Sequence, residues 1–259
     1  MPDFDEKLKT PLVELLLSVA DDKLMLGHRN SEWTGLAPIL EEDIAFSSLA
    51  QDEIAHAQVL YGLASEIDGR SADALAFGRD PDAYRCAQIV ELPDDFDWAF
   101  ALGRQWFCAH YDILRLQRMA GSSYKRLADT AKRLAAEEQV HVEHADSWMK
   151  RLGAGGDEAN ARMQAAMEKL APVASMLFEP AEGSDALEAT GVYPVLPADM
   201  FETWSARLQS IAAEAGLSLE LTPTHRDDLG GRRGRHSPHL APLLDEMCEV
   251  FRVEPTAAW

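Results

Sequence analysis

The chain has 259 residues, of which 24 are basic and 44 acidic, and its formal net charge at pH 7 is -20. This charge argues against nucleic acid and anionic membrane surfaces as partners. No apolar run reaches the roughly 20 residues of a membrane span, and the first residues lack the basic segment of a leader. The cysteines, Cys86, Cys108 and Cys248, are widely spaced and indicate neither a disulfide framework nor a zinc cluster. We therefore expect a cytoplasmic protein.

Apolar residues recur at helical spacing along most of the chain, which predicts an all-α fold. Residues 70–94 contain proline breakers, and we expect a connection with a short helix there. Apolar and polar residues alternate over Leu217–Leu221, which predicts a short strand. The predicted helices cover approximately residues 10–27, 38–67, 95–120, 124–152, 157–178, 197–215 and 242–253.

Two copies of the motif Glu-x-x-His each lie inside a long predicted helix. Glu53 and His56 belong to the second helix, and Glu138 and His141 belong to the fourth. Because residues three apart share a face of a helix, each copy directs a carboxylate and an imidazole the same way. Two such helices, with two more that each add a carboxylate, form the di-iron or di-manganese site of a ferritin-like four-helix bundle. The motifs therefore predict this fold and indicate this kind of site.

A complete site needs one further acid from each of the other two helices. The first helix offers Asp22 and its neighbour Asp21. In the third helix the matching level falls near Arg104, and no carboxylate stands there. The nearest acid, Asp112, lies eight residues or about 12 Å further along the helix. His110 could in principle substitute for it.

Two interpretations of these residues remain open. In the first, both Glu-x-x-His pairs and an aspartate of the first helix hold iron for oxygen activation; an iron-storage or peroxide-reducing bundle would use the same ligands. In the second, the acids and histidines form a buried network in which Lys23 or Arg104 supplies the positive charge, because buried charges persist only when paired or metal-bound. The second interpretation leaves a remnant or weak metal site at Glu53, His56, Glu138, His141 and Asp22.

The tail contains a compact basic loop in an otherwise acidic chain. Its arginines are predicted to contact acidic groups of a partner or a phosphate, or else simply to form a solvated loop. Histidine is a common zinc ligand, and several histidines lie near the loop. Since no cysteine is close in sequence and the arginines repel a cation, we do not predict zinc there. The arginines are Arg232, Arg233 and Arg235, and the histidines are His225, His236 and His239.

Several longer stretches occur in an order and spacing far more specific than a bundle signature. They are Gly27–Trp33, Leu40–Ala45, Leu75–Asp80, Arg104–Phe107, Trp148–Gly153, Gly230–Gly234, His236 and His239–Pro242. With them, nearly the whole chain resembles the C-subunit family of the bacterial phenylacetyl-CoA epoxidase complex, also called ring 1,2-phenylacetyl-CoA monooxygenase.

The resemblance implies a ferritin-like subunit that pairs with a catalytic A subunit. In such a complex the A subunit holds the di-iron centre and epoxidises the ring of phenylacetyl-CoA, with electrons from an NADPH-dependent flavin and iron–sulfur reductase. The C subunit is implied to have lost catalysis. Ala109, at the place of the expected third-helix acid, agrees with that role, whereas the two intact Glu-x-x-His pairs depart from it.

The sequence therefore predicts one ferritin-like domain over residues 1–259, with a core bundle at about 10–152 and a helical extension at about 157–259. We expect a noncatalytic structural subunit without a cofactor of its own, unless the Glu-x-x-His pairs hold a di-iron centre. The alternative is a di-iron oxygenase or oxidase in its own right. Expected partners are the A subunit, the small B subunit and the reductase, and the aryl-CoA substrate is met only through the partner.

Overall fold

In the computed structural model, which describes residues 5–255, every regular element is helical. The predicted all-α fold class is therefore confirmed. None of the described helices is both long and apolar enough to cross a membrane. The α-helices of the described part are α1 Lys9–Ser31, α2 Leu40–Asp68, α3 Ala72–Phe77, α4 Gln88–Glu91, α5 Trp98–Ala120, α6 Lys125–Gly153, α7 Asp157–Ala174, α8 Ser184–Ala189, α9 Met200–Glu214, α10 Leu240–Met247 and α11 Glu249–Val253.

Two compact units make up the chain, and each is assembled from separate stretches of sequence. The first unit contains 1–93, 179–187 and 229–259, and the second contains 94–178 and 188–228. The predicted C-terminal extension is therefore divided between the units. Its last four residues, like the first four of the chain, lie outside the described residues. The single domain stays a prediction.

The first unit is built on an antiparallel hairpin of α1 and α2. The two helices approach closely at Gly27, where an added Cβ would lie 2.8 Å from the side chain of Ile54. Acidic residues fill the first turn of α2, where they oppose the positive end of the helix dipole. At its other end α2 stops at Gly69, whose φ of 90° suits glycine. The short helix α4 packs on α1, and α10 packs on the turn Pro81–Ala83.

A second antiparallel hairpin, formed by α5 and α6, is the centre of the second unit. The α5 helix begins after Asp97, whose side chain caps its first turn. Trp98 of α5 packs edge-on against Trp148 of α6, with ring centroids 5.8 Å apart. Helix α7 lies against α5 at Gly103, where an added Cβ would lie 2.6 Å from the side chain of Met167 and 2.9 Å from that of Leu170. Helix α9 packs on α6.

The predicted strand at Leu217–Leu221 is wrong. Among the described residues, this segment belongs to no regular secondary-structure element. Instead, the side-chain amide of Gln164 on α7 bonds both the backbone N–H and the carbonyl of Ser218, at 2.8 and 3.1 Å. Alternation of apolar residues indicates one buried face, and Leu217 and Leu221 are indeed buried, but the backbone between them is bonded by a side chain of a helix and not by a neighbouring strand.

Candidate functional site

Each Glu-x-x-His pair lies on one buried face of its helix, as the spacing predicts. Glu53 and His56 of α2 are 0% and 1% exposed, whereas Ile54 between them is 42% exposed. On α6, Glu138 and His141 are both fully buried. The long helices thus place all four side chains away from bulk solvent, where an ionised group needs a partner.

In the first unit, the charge of Glu53 is balanced by a lysine. The ammonium nitrogen of Lys23 on α1 lies 2.7 Å from a carboxylate oxygen of Glu53, and both side chains are 0% exposed. Each side chain depends on the other, since removing one partner of a buried ion pair typically lowers the free energy of unfolding by ~3–5 kcal/mol. Lys23 therefore supplies positive charge where a metal ion would otherwise supply it.

Asp21 of α1 is held by a cluster of donors. Arg79 donates from both terminal nitrogens, one of them at 3.0 Å, and the backbone N–H of Arg85 donates at 2.6 Å. The hydroxyl of Tyr61 donates at 2.5 Å. Burial, reinforced by the negative charge of Asp21, raises the pKa of Tyr61 well above its usual range, so this hydroxyl remains a neutral donor.

Asp22 forms a two-pronged ion pair with a residue of the tail. The terminal nitrogens of Arg232 bond the two carboxylate oxygens of Asp22, each at 2.7 Å. Arg232 is only 1% exposed. One of its nitrogens also donates to the backbone carbonyls of Ser18 and Arg85, at 2.9 and 2.8 Å. This planar fork is the geometry that arginine offers and lysine does not.

The predicted contact of the tail arginines with a partner or a phosphate is corrected at one position. Arg232 is buried and its guanidinium binds groups of its own unit, so it is not presented at the surface. Arg233 and Arg235 are exposed, and for them the contact stays a prediction.

In the second unit, the third-helix residues are engaged with acids of that unit. His110 of α5 lies 2.7 Å from Asp146 of α6, which also accepts a hydrogen bond from Trp106 at 2.8 Å. Although burial opposes it, the bond to His110 holds the pKa of Asp146 below its usual range. Arg104 donates to Asp94 at 2.9 Å, with both side chains buried.

The fourth-helix pair lies close together on α6. Nδ1 of His141 lies 3.5 Å from a carboxylate oxygen of Glu138. On α5, Ala109 is fully buried at the position where a third-helix acid is expected, and its methyl group offers no ligand. The second unit thus contains one Glu-x-x-His pair that could face a metal, and an apolar residue where a complete site needs a carboxylate.

The contacts of the first unit bear directly on a resident di-iron centre. A cation bound by Glu53 would lie beside the Lys23 ammonium, and one bound by Asp22 would compete with the Arg232 guanidinium. Positive side chains in those places repel a metal, so these residues do not fit a di-iron centre. Metal binding by the remaining members of the predicted set stays a prediction.

Sequence reasoning named Lys23 as a source of positive charge but did not pair Arg79 with Asp21, or Arg232 with Asp22. Arg79 is 58 positions from Asp21, and Arg232 is 210 positions from Asp22. One available signal was that acids in a predicted buried helix must find partners, but that signal does not say which arginines these are.

The fold and the buried residues together define a class: an all-α protein with two long helical hairpins, in which buried carboxylates of α1 and α2 are neutralised by side-chain cations. A family model described as phenylacetic acid catabolic protein matches residues 3–259, and the chain belongs to this family. A curated relative, the C subunit of the 1,2-phenylacetyl-CoA epoxidase of Escherichia coli (strain K12), is 31% identical over 249 residues. The match covers 96% of this chain and 99% of that protein, and it confirms the expected family.

Proposed function

We propose that this chain is the noncatalytic structural subunit of a phenylacetyl-CoA epoxidase in aerobic phenylacetate degradation. In this role it pairs with the di-iron A subunit and stabilises it. The small B subunit and the reductase complete the complex, which works in the cytoplasm, and the aryl-CoA substrate is bound through the partner. The epoxidase C subunit of Escherichia coli, similar along nearly its full length, supports a place in such a complex.

The observation that carries the noncatalytic role is the buried pair of Lys23 and Glu53. With the ammonium 2.7 Å from the carboxylate and both side chains fully buried, Glu53 is balanced by a side-chain cation. Asp22 is balanced in the same way by Arg232. Because lysine and arginine side chains already neutralise these buried acids of the first unit, no metal ion is needed to balance their charge. The buried ion pairs then have a structural role.

A di-iron oxygenase acting by itself is the second candidate. Its support is the buried pair of Glu138 and His141, which shares one face of α6 as ligands of a bundle site do. It requires a further carboxylate from α5, where Ala109 stands.

The deciding experiment is co-expression with an A subunit, followed by measurement of bound iron and of phenylacetyl-CoA epoxidation. The test variant of this chain is Glu138→Gln with His141→Gln. The matched control is Glu137→Gln with Glu143→Gln, which changes two exposed acids of the same helix.

We expect unchanged iron content and unchanged turnover in both variants, provided that the complex still co-purifies. Loss of iron or of turnover in the test variant alone, with the complex intact, would contradict the noncatalytic role. A wild-type chain that never co-purifies with an A subunit would contradict the pairing.

A further inference from the structure

Three metal-binding types of side chain meet in the first unit, away from the Glu-x-x-His residues. Cys86 precedes α4, Glu91 ends α4, and His236 belongs to the tail. The sulfur of Cys86 lies 3.7 Å from the nearer Glu91 oxygen and 3.9 Å from Nδ1 of His236. That nitrogen is 2.7 Å from the same oxygen. Thiolate, carboxylate and imidazole are all zinc ligands, and together they form a compact donor set.

These separations are close to those of a tetrahedral zinc site. With zinc about 2.3 Å from sulfur and about 2.0–2.2 Å from nitrogen and oxygen, neighbouring donors lie about 3.3–3.6 Å apart. The two distances from the Cys86 sulfur are longer than this by a few tenths of an ångström. Only His236 and Glu91 must separate, by about 0.6 Å, since they now share a hydrogen bond.

The atoms that would not bind the metal are already oriented by other groups. Nε2 of His236 lies 3.1 Å from the carbonyl oxygen of Tyr84, to which it donates. The second carboxylate oxygen of Glu91 accepts the backbone N–H of Ser237 at 2.7 Å. Ligating histidines commonly donate their other ring N–H to such a carbonyl, which fixes the ring with its free nitrogen toward the metal.

The surrounding charge also permits a cation. Arg232, a buried arginine of the tail, is neutralised by its two bonds to Asp22. Arg29, whose guanidinium donates to the Glu91 backbone carbonyl at 2.7 Å, is paired with Glu32 at 3.0 Å. The thiolate of Cys86 and the carboxylate of Glu91 together balance one Zn²⁺. Binding would release two protons to solvent, the thiol proton and the one shared by His236 and Glu91, so that the net charge of the cluster does not change.

We propose that Cys86, Glu91 and His236 bind one Zn²⁺ ion, which holds the tail against helix α4 and the residues just before it. A water molecule completes the tetrahedron. Three protein ligands and a water are the set usual for catalytic zinc, but Cys86 and Glu91 are 0% exposed and the His236 side chain is 6% exposed. This burial leaves little room for a substrate, so we assign the ion a structural role. The tail backbone packs directly against Cys86: a Cβ added to Gly231 would overlap the Cys86 carbonyl oxygen.

The direct test is titration of the metal-depleted full chain with Co²⁺, followed by displacement with Zn²⁺. A thiolate ligand gives Co²⁺ an intense near-ultraviolet charge-transfer band that carboxylate and imidazole sites lack. We expect one Co²⁺ per chain with this band in the wild type and in Cys248→Ser, a control at another buried cysteine. Cys86→Ser should lose the band, and His236→Gln should bind more than about tenfold more weakly.

A wild type without the band, or a band that persists in Cys86→Ser, would overturn the site. Should Cys86→Ser fail to fold, the comparison of His236→Gln with Cys248→Ser decides, and equal affinities would overturn it. The structural role is tested separately by the rate of trypsin cleavage after the exposed residues Arg233 and Arg235. Zn²⁺ should slow this cleavage severalfold in the wild type but not in His236→Gln, and an unchanged wild-type rate would refute that role.

Discussion

The ion pair between the tail and α1 gives the sharpest prediction about stability. Arg232→Met keeps most of the volume of the side chain but removes its charge and every hydrogen bond that its guanidinium makes. Asp22 would then keep the backbone bond from Ala87, at 2.8 Å, but lose both bonds from the guanidinium. The carbonyls of Ser18 and Arg85 would lose a donor as well.

The expected loss is about 3–5 kcal/mol in the free energy of unfolding, because the variant leaves a buried carboxylate without its cation. A loss of that size is a large part of the roughly 5–15 kcal/mol that usually stabilises a folded protein. The pair is 2% and 4% exposed at its two side chains, so solvent screening reduces the value little.

The assay is urea unfolding followed by circular dichroism, with Arg233→Met as the control. Arg233 is the exposed neighbour, and its replacement should change stability by no more than about 0.5 kcal/mol. The double variant Asp22→Asn with Arg232→Met removes both charges and should be more stable than Arg232→Met alone. A loss below about 1 kcal/mol in Arg232→Met, or simple additivity in the double variant, would refute the reasoning.

Three further predictions concern other contacts. Against the opposing effect of burial, hydrogen bonding to His110 lowers the pKa of Asp146, so the ionised carboxylate stabilises the fold fully above its unfolded-state pKa of 3.8 and loses this effect as the pH falls through the lower folded-state pKa. In an acid titration, Asp146→Asn should therefore lose stability less steeply than the wild type. Parallel stability curves would contradict this. Gly231→Ala should lower thermal stability by about 1–3 kcal/mol, because its methyl group overlaps the Cys86 carbonyl; an unchanged melting temperature would show that the tail can shift. Burial raises the pKa of the Cys86 thiol well above its usual range, so iodoacetamide at neutral pH should label this thiol only after denaturation. Peptide mass mapping can check this. Rapid labelling of the native chain would argue against a tail packed closely over Cys86.

Local pattern accounts for most of what the sequence predicted correctly. Hydrophobic spacing placed the long helices to within a few residues, since a helix that buries one face must repeat apolar residues at its own period. The same spacing put Glu53 with His56, and Glu138 with His141, on buried faces. It failed at Leu217–Leu221, where alternation marked buried residues but the backbone is bonded by Gln164 of a helix and not by a strand.

The sequence by itself determined the helices, the acidic charge, the family and the faces that carry ionisable residues. Only the tertiary structure decided which charges meet: Arg232 reaches Asp22 across 210 positions, and His236 reaches Cys86 across 150. The tail histidines have no cysteine near them along the chain, yet one lies beside His236 in space. Helical periodicity is a local property, whereas the pairing of buried charges depends on how distant segments pack, and no local pattern encodes that.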